Sequence, residues 1–584
     1  MTRTTPDIDL IVVGAGWFGL SAAKHYIQLH PQDHIVVLES AGSCGGTWGQ
    51  ERLYPGLKSN NMVGSYEYPD FPMSEDVYGV KADSHIPAAT LHRYLTDYAK
   101  HFGVFDRVQF HTRVTAVQPQ SEGDGWRLHV ACSNDPSNST TEIETKRLIL
   151  ATGLTSLPNM PSYPGQDTFR GPVFHAKDFK REAGTLTSCK RVVVVGGAKS
   201  ALDVSYAYTQ AGVQVDLIIR PDGNGPVWLA KPFVTPFKRK MEELLHTRCL
   251  SWFSPSPWQD EDGYSTVRSF LHGTKLGNLL VNNFWSILSA DIVESNGYED
   301  HHHPSLLALK PWYSAYWTGS GVSIHNFDTS IFDLVKEGKI CIHTANITEL
   351  GPRHVHLSTG ETLQADAIVC ATGWKKGSAI EFVDLDCRPV SDPTEMDRLL
   401  CLADDEILSR FPGLKSQPCL RTSGAAKRQK SNPWRLYRFM VPPALWERRT
   451  LAFAGMISSA STAICASLQG LWISAYFDGA LDRMPPTQHA VVHEAVINSV
   501  WGKWRYPCGY GEDVADFAFD ALPYFDLLLK DLGLKHHRKS SATSELTEPY
   551  KPWDYQDVVE EWKQGHWSPR QNDISPVKTN LVCH

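Results

Sequence analysis

Four short apolar runs organise most of the chain, and each is followed at once by small residues. "LIVV" opens onto Gly14, Gly16 and Gly19, and the apolar positions Leu20, Ala23 and Tyr26 then recur at helical spacing. "VVVV" at 192 to 195 opens onto Gly196, Ala198 and Ala201, with a helix-like stretch from Ala201 to Tyr208 and a further strand, "VQVDLII". "RLILATG" (147 to 153) and "ADAIVCATGW" (365 to 374) each run a strand into Ala-Thr-Gly. Uninterrupted apolar runs of this length predict strands buried on both faces, and strand, turn and helix in succession predict a parallel α/β sheet.

The first turn carries a dinucleotide-binding fingerprint. Gly14 permits the tight turn, Gly16 lets the backbone approach a pyrophosphate, and Gly19 allows close packing of helix on strand, with the helix N-terminus supplying free N–H groups. The next strand, "HIVVLE", ends on Glu39, an acid placed to accept from ribose hydroxyls. The second turn has the same plan with Ala198 and Ala201 in place of two glycines, and its following strand ends on Arg220. An acid repels a 2'-phosphate and a guanidinium clamps one, so the second turn is expected to hold NADPH and the first FAD. On this reading Gly196, Ala198, Lys199, Ser200, Ala201 and Arg220 contact the second nucleotide, and Lys199 adds charge beside its phosphates.

Length and charge narrow the picture further. A chain of 584 residues exceeds one compact core, so two or three domains are expected. A formal charge of -8 argues against a nucleic-acid partner. The 12 cysteines show no C-x-x-C or zinc-type spacing, and no secretory leader precedes the first strand, which makes a cytoplasmic protein without a metal the expectation. Residues 451 to 477 are uncharged and long enough to span a bilayer, but the serines, Thr462 and Gln469 break the apolar pattern and no basic flank orients them, so a buried core segment touching a cofactor is expected in place of a membrane span. Pyridine nucleotide-disulfide reductases are set aside because Cys44 has no neighbouring cysteine.

Between the turns lies "FRGPVFHAKDF" (169 to 179), which resembles the FxGxxxHxxx(W/Y/F) fingerprint of class B flavin-dependent monooxygenases. "GGTW" (45 to 48), "YPGLKSNN" and "YPDFPM" look like that family's run through the flavin site, and "SLQGLW" (467 to 472) like its terminal helix beside the flavin. The remainder is similar in type to fungal members linked with secondary metabolism. The resemblance implies Gly46, Thr47, Trp48, Asn60 and Gln469 as flavin contacts, and Asn60 as the active-site residue, since a neutral amide both donates and accepts. It also implies that NADPH reduces FAD, that a flavin C4a-(hydro)peroxide forms with O2, and that one oxygen atom passes to a small organic substrate.

Phe179 and Ala176 depart from the Baeyer-Villiger branch and favour the heteroatom-oxidising or hydroxylating one, with Baeyer-Villiger oxygenation or epoxidation as alternatives and a non-catalytic FAD-binding scaffold as the alternative of another class. His175 reads as a linker residue and His301 to His303 as an exposed loop. Trp312, Tyr313, Tyr316 and Trp317 read equally as pocket or core. Neither the substrate nor the oligomeric state is legible. The expected architecture is α/β: two Rossmann-like dinucleotide-binding domains, the FAD domain discontinuous (1–165 and 341–484), the NADP domain inserted (166–340), and a helical C-terminal extension (485–584).

Overall fold

The computed structural model describes residues 7–566, apart from 122, 135–138, 235–237, 422–433 and 512. Two five-stranded parallel sheets form its frame. In the first, the strand order is Leu451–Phe453, Arg147–Leu150, Leu10–Val13, Ile35–Leu38 and Val108–Gln109. Leu10, Ile11 and Val12 are wholly buried between covered faces, which is why the run shows no polar alternation. The helix Trp17–Leu29 lies on one face and packs along Thr462–Phe477.

In the second sheet the order is Val173–His175, Ala367–Cys370, Arg191–Val195, Gln214–Ile219 and Ile340–Thr344. Arg191–Val195 thus lies between Ala367–Cys370 and Gln214–Ile219, with Val195 in register with Cys370 on one side and Ile218 on the other. The second unit therefore runs past the expected boundary at 340. Its Ala-Thr-Gly strand is a near-central strand of that sheet, and the chain rejoins the first half at Trp374–Lys375, which pairs antiparallel with Leu157–Pro158, and at Glu381–Phe382, which pairs with Thr112–Pro119.

The segment 451–477 folds as two short strands and the helix Thr462–Phe477, whose residues 463 to 477 are all buried. No helix among the described residues is long and apolar enough to cross a membrane. The C-terminal residues are helical, as expected, but they are not an appendage. Ala521–Asp531 packs on Thr462–Phe477, Ala515–Phe517 pairs in parallel with Ile457–Ser459, and Tyr524, Phe525 and Leu528 share one buried cluster with Leu10 and Val12 of the first sheet. Apolar side chains at this density are stable only when covered, and the core they cover is that of the first unit.

Candidate active site between the two nucleotide turns

In the first turn, Gly14 adopts φ +108°, and a Cβ there would lie 2.4 Å from the Ala151 carbonyl oxygen. A Cβ on Gly19 would meet the Gly14 carbonyl oxygen at 1.9 Å. Both glycines are therefore required by the protein itself. Gly16 is different: its nearest neighbour for a Cβ is Gly46 Cα at 3.6 Å, and Gly46 in turn faces Gly16. The two glycines leave a smooth slot at the N-terminus of Trp17–Leu29, the shape and polarity a pyrophosphate needs. Glu39 is buried at the end of its strand, where Oε2 accepts from the Ala15 N–H at 2.7 Å and Oε1 from the Ala41 N–H at 2.8 Å. Oε1 also accepts from the Ser40 hydroxyl at 3.3 Å, while Oε2 keeps a lone pair for a ribose hydroxyl as it braces the turn. This slot and acid fit the adenosine and pyrophosphate of FAD.

The second turn borders a groove of about 370 Å³ that contains Gly196, Gly197, Ala198 and Arg220, with Trp312 and Tyr313 opposite. Gly196 adopts φ +148° with a Cβ position 2.5 Å from the Ala371 carbonyl oxygen, and Ala201 is fully buried beneath it. Arg220 is exposed along the groove, free to meet a phosphate. Lys199 does not join it. Its ammonium pairs with Asp203 one helical turn on, is hydrogen bonded to Asn326 Oδ1 at 2.8 Å and lies 4.4 Å from the centre of the Phe327 ring. Lys199, expected to flank the phosphates, is here engaged by Asp203 and Asn326 instead. An i,i+4 acid captures it, and both Lys199 and Ser200 border a different cavity.

That cavity, of about 390 Å³, lies between the units. Thr47, Trp48 and Asn60 from the first unit and Lys199 and Ser200 from the second all border it. Asn326 ties the two sides together, since its Nδ2 donates to the carbonyls of Lys58 (3.2 Å) and Ser59 (3.0 Å), directly before Asn60. Apolar side chains including Leu245, Trp285, Leu288, Ile324 and Phe519 line the cavity as well, beside polar ones such as Ser320 and Ser458. Tyr316 faces this chamber and Trp312 the nucleotide groove, so the aromatic segment divides between the two sites.

Other residues hold this arrangement in place. His175 is buried, bonding the Gly373 carbonyl through Nε2 (3.0 Å) and accepting the Lys177 N–H at Nδ1 (3.1 Å). It thus links the fingerprint to the second Ala-Thr-Gly turn. Gly171 is required by the chain, because a Cβ would sit 2.1 Å from the Asp366 carbonyl oxygen. Gln469 is fully buried within the protein: its Oε1 accepts from the Gly455 N–H and its Nε2 donates to Tyr524, both at 2.9 Å, so it supports the site from behind. His302 lies in an exposed turn where its backbone N–H donates to Asp300 Oδ1 at 2.9 Å, and no cluster of potential metal ligands occurs among the described residues.

Sequence reasoning missed the chamber wall. Glu242, Trp285, Tyr506 and Phe519 all border the cavity, yet they come from the Trp-rich insertion and the C-terminal region, where no motif marks them. The density of apolar residues in "DFAFDALPYFDLLL" signals burial, and nothing in it signals what is walled.

Two parallel sheets, each ending in a glycine-bearing turn before a helix, with one cavity bordered by residues of both units, define a double-dinucleotide oxidoreductase architecture. The flavin-binding monooxygenase-like family (FMO-like) matches residues 8–254. The chain is 35% identical to FAD-dependent monooxygenase rstn6 of Aspergillus nomiae, covering 95% of this chain and 98% of that protein. It is also 35% identical to an FAD-dependent monooxygenase of Pyrenophora dematioidea, covering 92% and 100%. Among solved structures, open cyclohexanone monooxygenase shares the fold with a TM-score of 0.59 at 16% identity, over 90% of this chain and 97% of that one. The protein belongs to the flavin-binding monooxygenase family.

Proposed function

We propose that the protein is an FAD- and NADPH-dependent monooxygenase that transfers one atom of O2 to a largely apolar organic substrate. One observation carries this reading: Thr47, Trp48 and Asn60 from the FAD side and Lys199 and Ser200 from the NADPH side meet on one cavity whose remaining wall is mostly apolar. Bound FAD, once reduced by NADPH, supplies the activation of dioxygen. The chain's own residues position and shield. Gly16, Gly46 and Glu39 receive the FAD pyrophosphate and ribose, and Arg220 receives the 2'-phosphate of NADPH. Asn60 borders the cavity with a carboxamide able to donate and accept without changing charge, while the Leu245, Trp285 and Phe519 wall keeps water out.

The fully aligned fungal relatives named as FAD-dependent monooxygenases support the same reading. Purified protein is expected to carry flavin near one equivalent and to couple NADPH oxidation to O2 uptake. Flavin-loaded protein that fails to oxidise NADPH would leave only a binding scaffold.

A further inference from the structure

Glu242 stands apart from the rest of the chamber wall. It is 1% exposed and borders the cavity on the short helix Met241–Leu245. Its Oε1 accepts from the Met62 N–H at 2.7 Å and from the Ser65 hydroxyl at 2.9 Å, which locks the carboxyl to the strand that carries Asn60, two residues earlier. Its Oε2 is buried and has no partner among the described residues. A buried carboxyl oxygen left without a partner is costly, and the adjoining chamber is lined by apolar side chains such as Leu245, Trp285 and Phe519 together with polar ones such as Asn61, Ser320 and Ser458. Burial pushes the carboxyl pKa upward, against the opposing pull of the Met62 and Ser65 donors, and favours the protonated form. In that form one oxygen accepts, as Oε1 does, and the other carries a proton to give away.

We propose that Glu242 is the polar recognition point of the substrate chamber, with Oε2–H donating a hydrogen bond to a carbonyl or ether oxygen of an otherwise apolar substrate. The assignment rests on the monooxygenase reading for the identity of the chamber, and it adds the class of molecule that enters: a lipophilic compound bearing a hydrogen-bond acceptor, held close to Asn60. A cationic amine, which has no acceptor to offer, is disfavoured at this point.

The test compares 2-dodecanone, dodecylamine and dodecane as probes, their binding to the flavin-loaded protein measured by equilibrium dialysis. The wild type is expected to prefer the ketone to the hydrocarbon by roughly three- to tenfold, the range of one net neutral hydrogen bond. Glu242→Gln is expected to keep that preference, because its amide reproduces one acceptor and one donor, and Glu242→Leu to abolish it. An infrared difference spectrum on adding ketone is expected to show a shifted protonated-carboxyl band in the wild type and none in Glu242→Gln. Equal binding of ketone and hydrocarbon by the wild type would overturn the proposal. So would a preference retained in Glu242→Leu, preferred binding of the amine, or absence of the carboxyl band, the last of which decides the matter even if Glu242→Leu does not fold. Flavin content and NADPH oxidation are measured on the same samples, so failure of the monooxygenase reading is seen separately.

Discussion

The two nucleotide turns share a backbone and differ in what fills it. Gly16 caps its helix at φ -87°, ψ -172°, and Ala198 caps the second at φ -93°, ψ 176°. The geometry is one that any residue adopts, so the alanine is unstrained and adds only a methyl group. The close helix packing that demands Gly19 in the first turn, where a Cβ would lie 1.9 Å from a carbonyl oxygen, is relaxed in the second, where Ala201 sits buried under Gly196. Counting glycines therefore reports how tightly each helix approaches its strand. The strand ends differ too, buried Glu39 against exposed Arg220, and it is to this pair that we assign the choice of nucleotide.

The largest expected effect separates the glycines of one turn from each other. Gly16→Val is expected to abolish FAD retention while the protein folds, because the new side chain clears Gly46 and fills the slot where the pyrophosphate belongs. Gly19→Ala, by contrast, is expected to compromise the fold itself, since its Cβ collides with the Gly14 carbonyl. Flavin absorbance per protein and thermal unfolding on both variants check this. A Gly16→Val protein that keeps its flavin would remove the distinction.

Arg220→Ala comes next. Only NADPH has a 2'-phosphate to lose, so the preference for NADPH over NADH in kcat/KM is expected to fall roughly ten- to a hundredfold. Equal losses for both nucleotides would mark a folding defect, and a wild type that already prefers NADH would refute the contrast between the turns. Glu39→Ala is expected to weaken FAD by about tenfold, the scale of a hydrogen bond to a charged group. It is also expected to lower stability, because the Ala15 and Ala41 N–H groups lose their acceptor. Titration of the apoprotein with FAD measures the first and thermal unfolding the second.

These elements also mark where sequence stops being informative. Strand, turn, helix and terminal charge are local, set by a few adjacent residues, and both sheets and both turns were legible from them. The chamber is non-local: Glu242 meets Met62 across 180 positions, and Phe519 reaches the cavity from the far end of the chain. Nothing in local spacing encodes such a meeting. The boundary at 340 was misplaced for a related reason. "ADAIVCATGW" looks the same whichever sheet it joins, and only its pairing with Arg191–Val195 decides. The partners of Gln469 were not legible because a helix buried all round gives no sign of which face meets Tyr524.

The smallest expected effect is the most discriminating, and it concerns Lys199. Charge and position beside the second turn suggest a phosphate ligand, yet its ammonium is committed to Asp203 and Asn326, on the side of the central cavity. If that geometry governs, Lys199→Met leaves the NADPH-to-NADH ratio unchanged, in contrast to Arg220→Ala. What changes is turnover: without the ammonium, Asn326 loses one of the contacts that fix it against the carbonyls of Lys58 and Ser59, and the strand presenting Asn60 is held less firmly. A fall in kcat common to both nucleotides, with their ratio intact, would assign Lys199 to the union of the two units. A fall confined to NADPH would return it to the phosphate site and remove the division of labour between the strand-end arginine and the helix-start lysine.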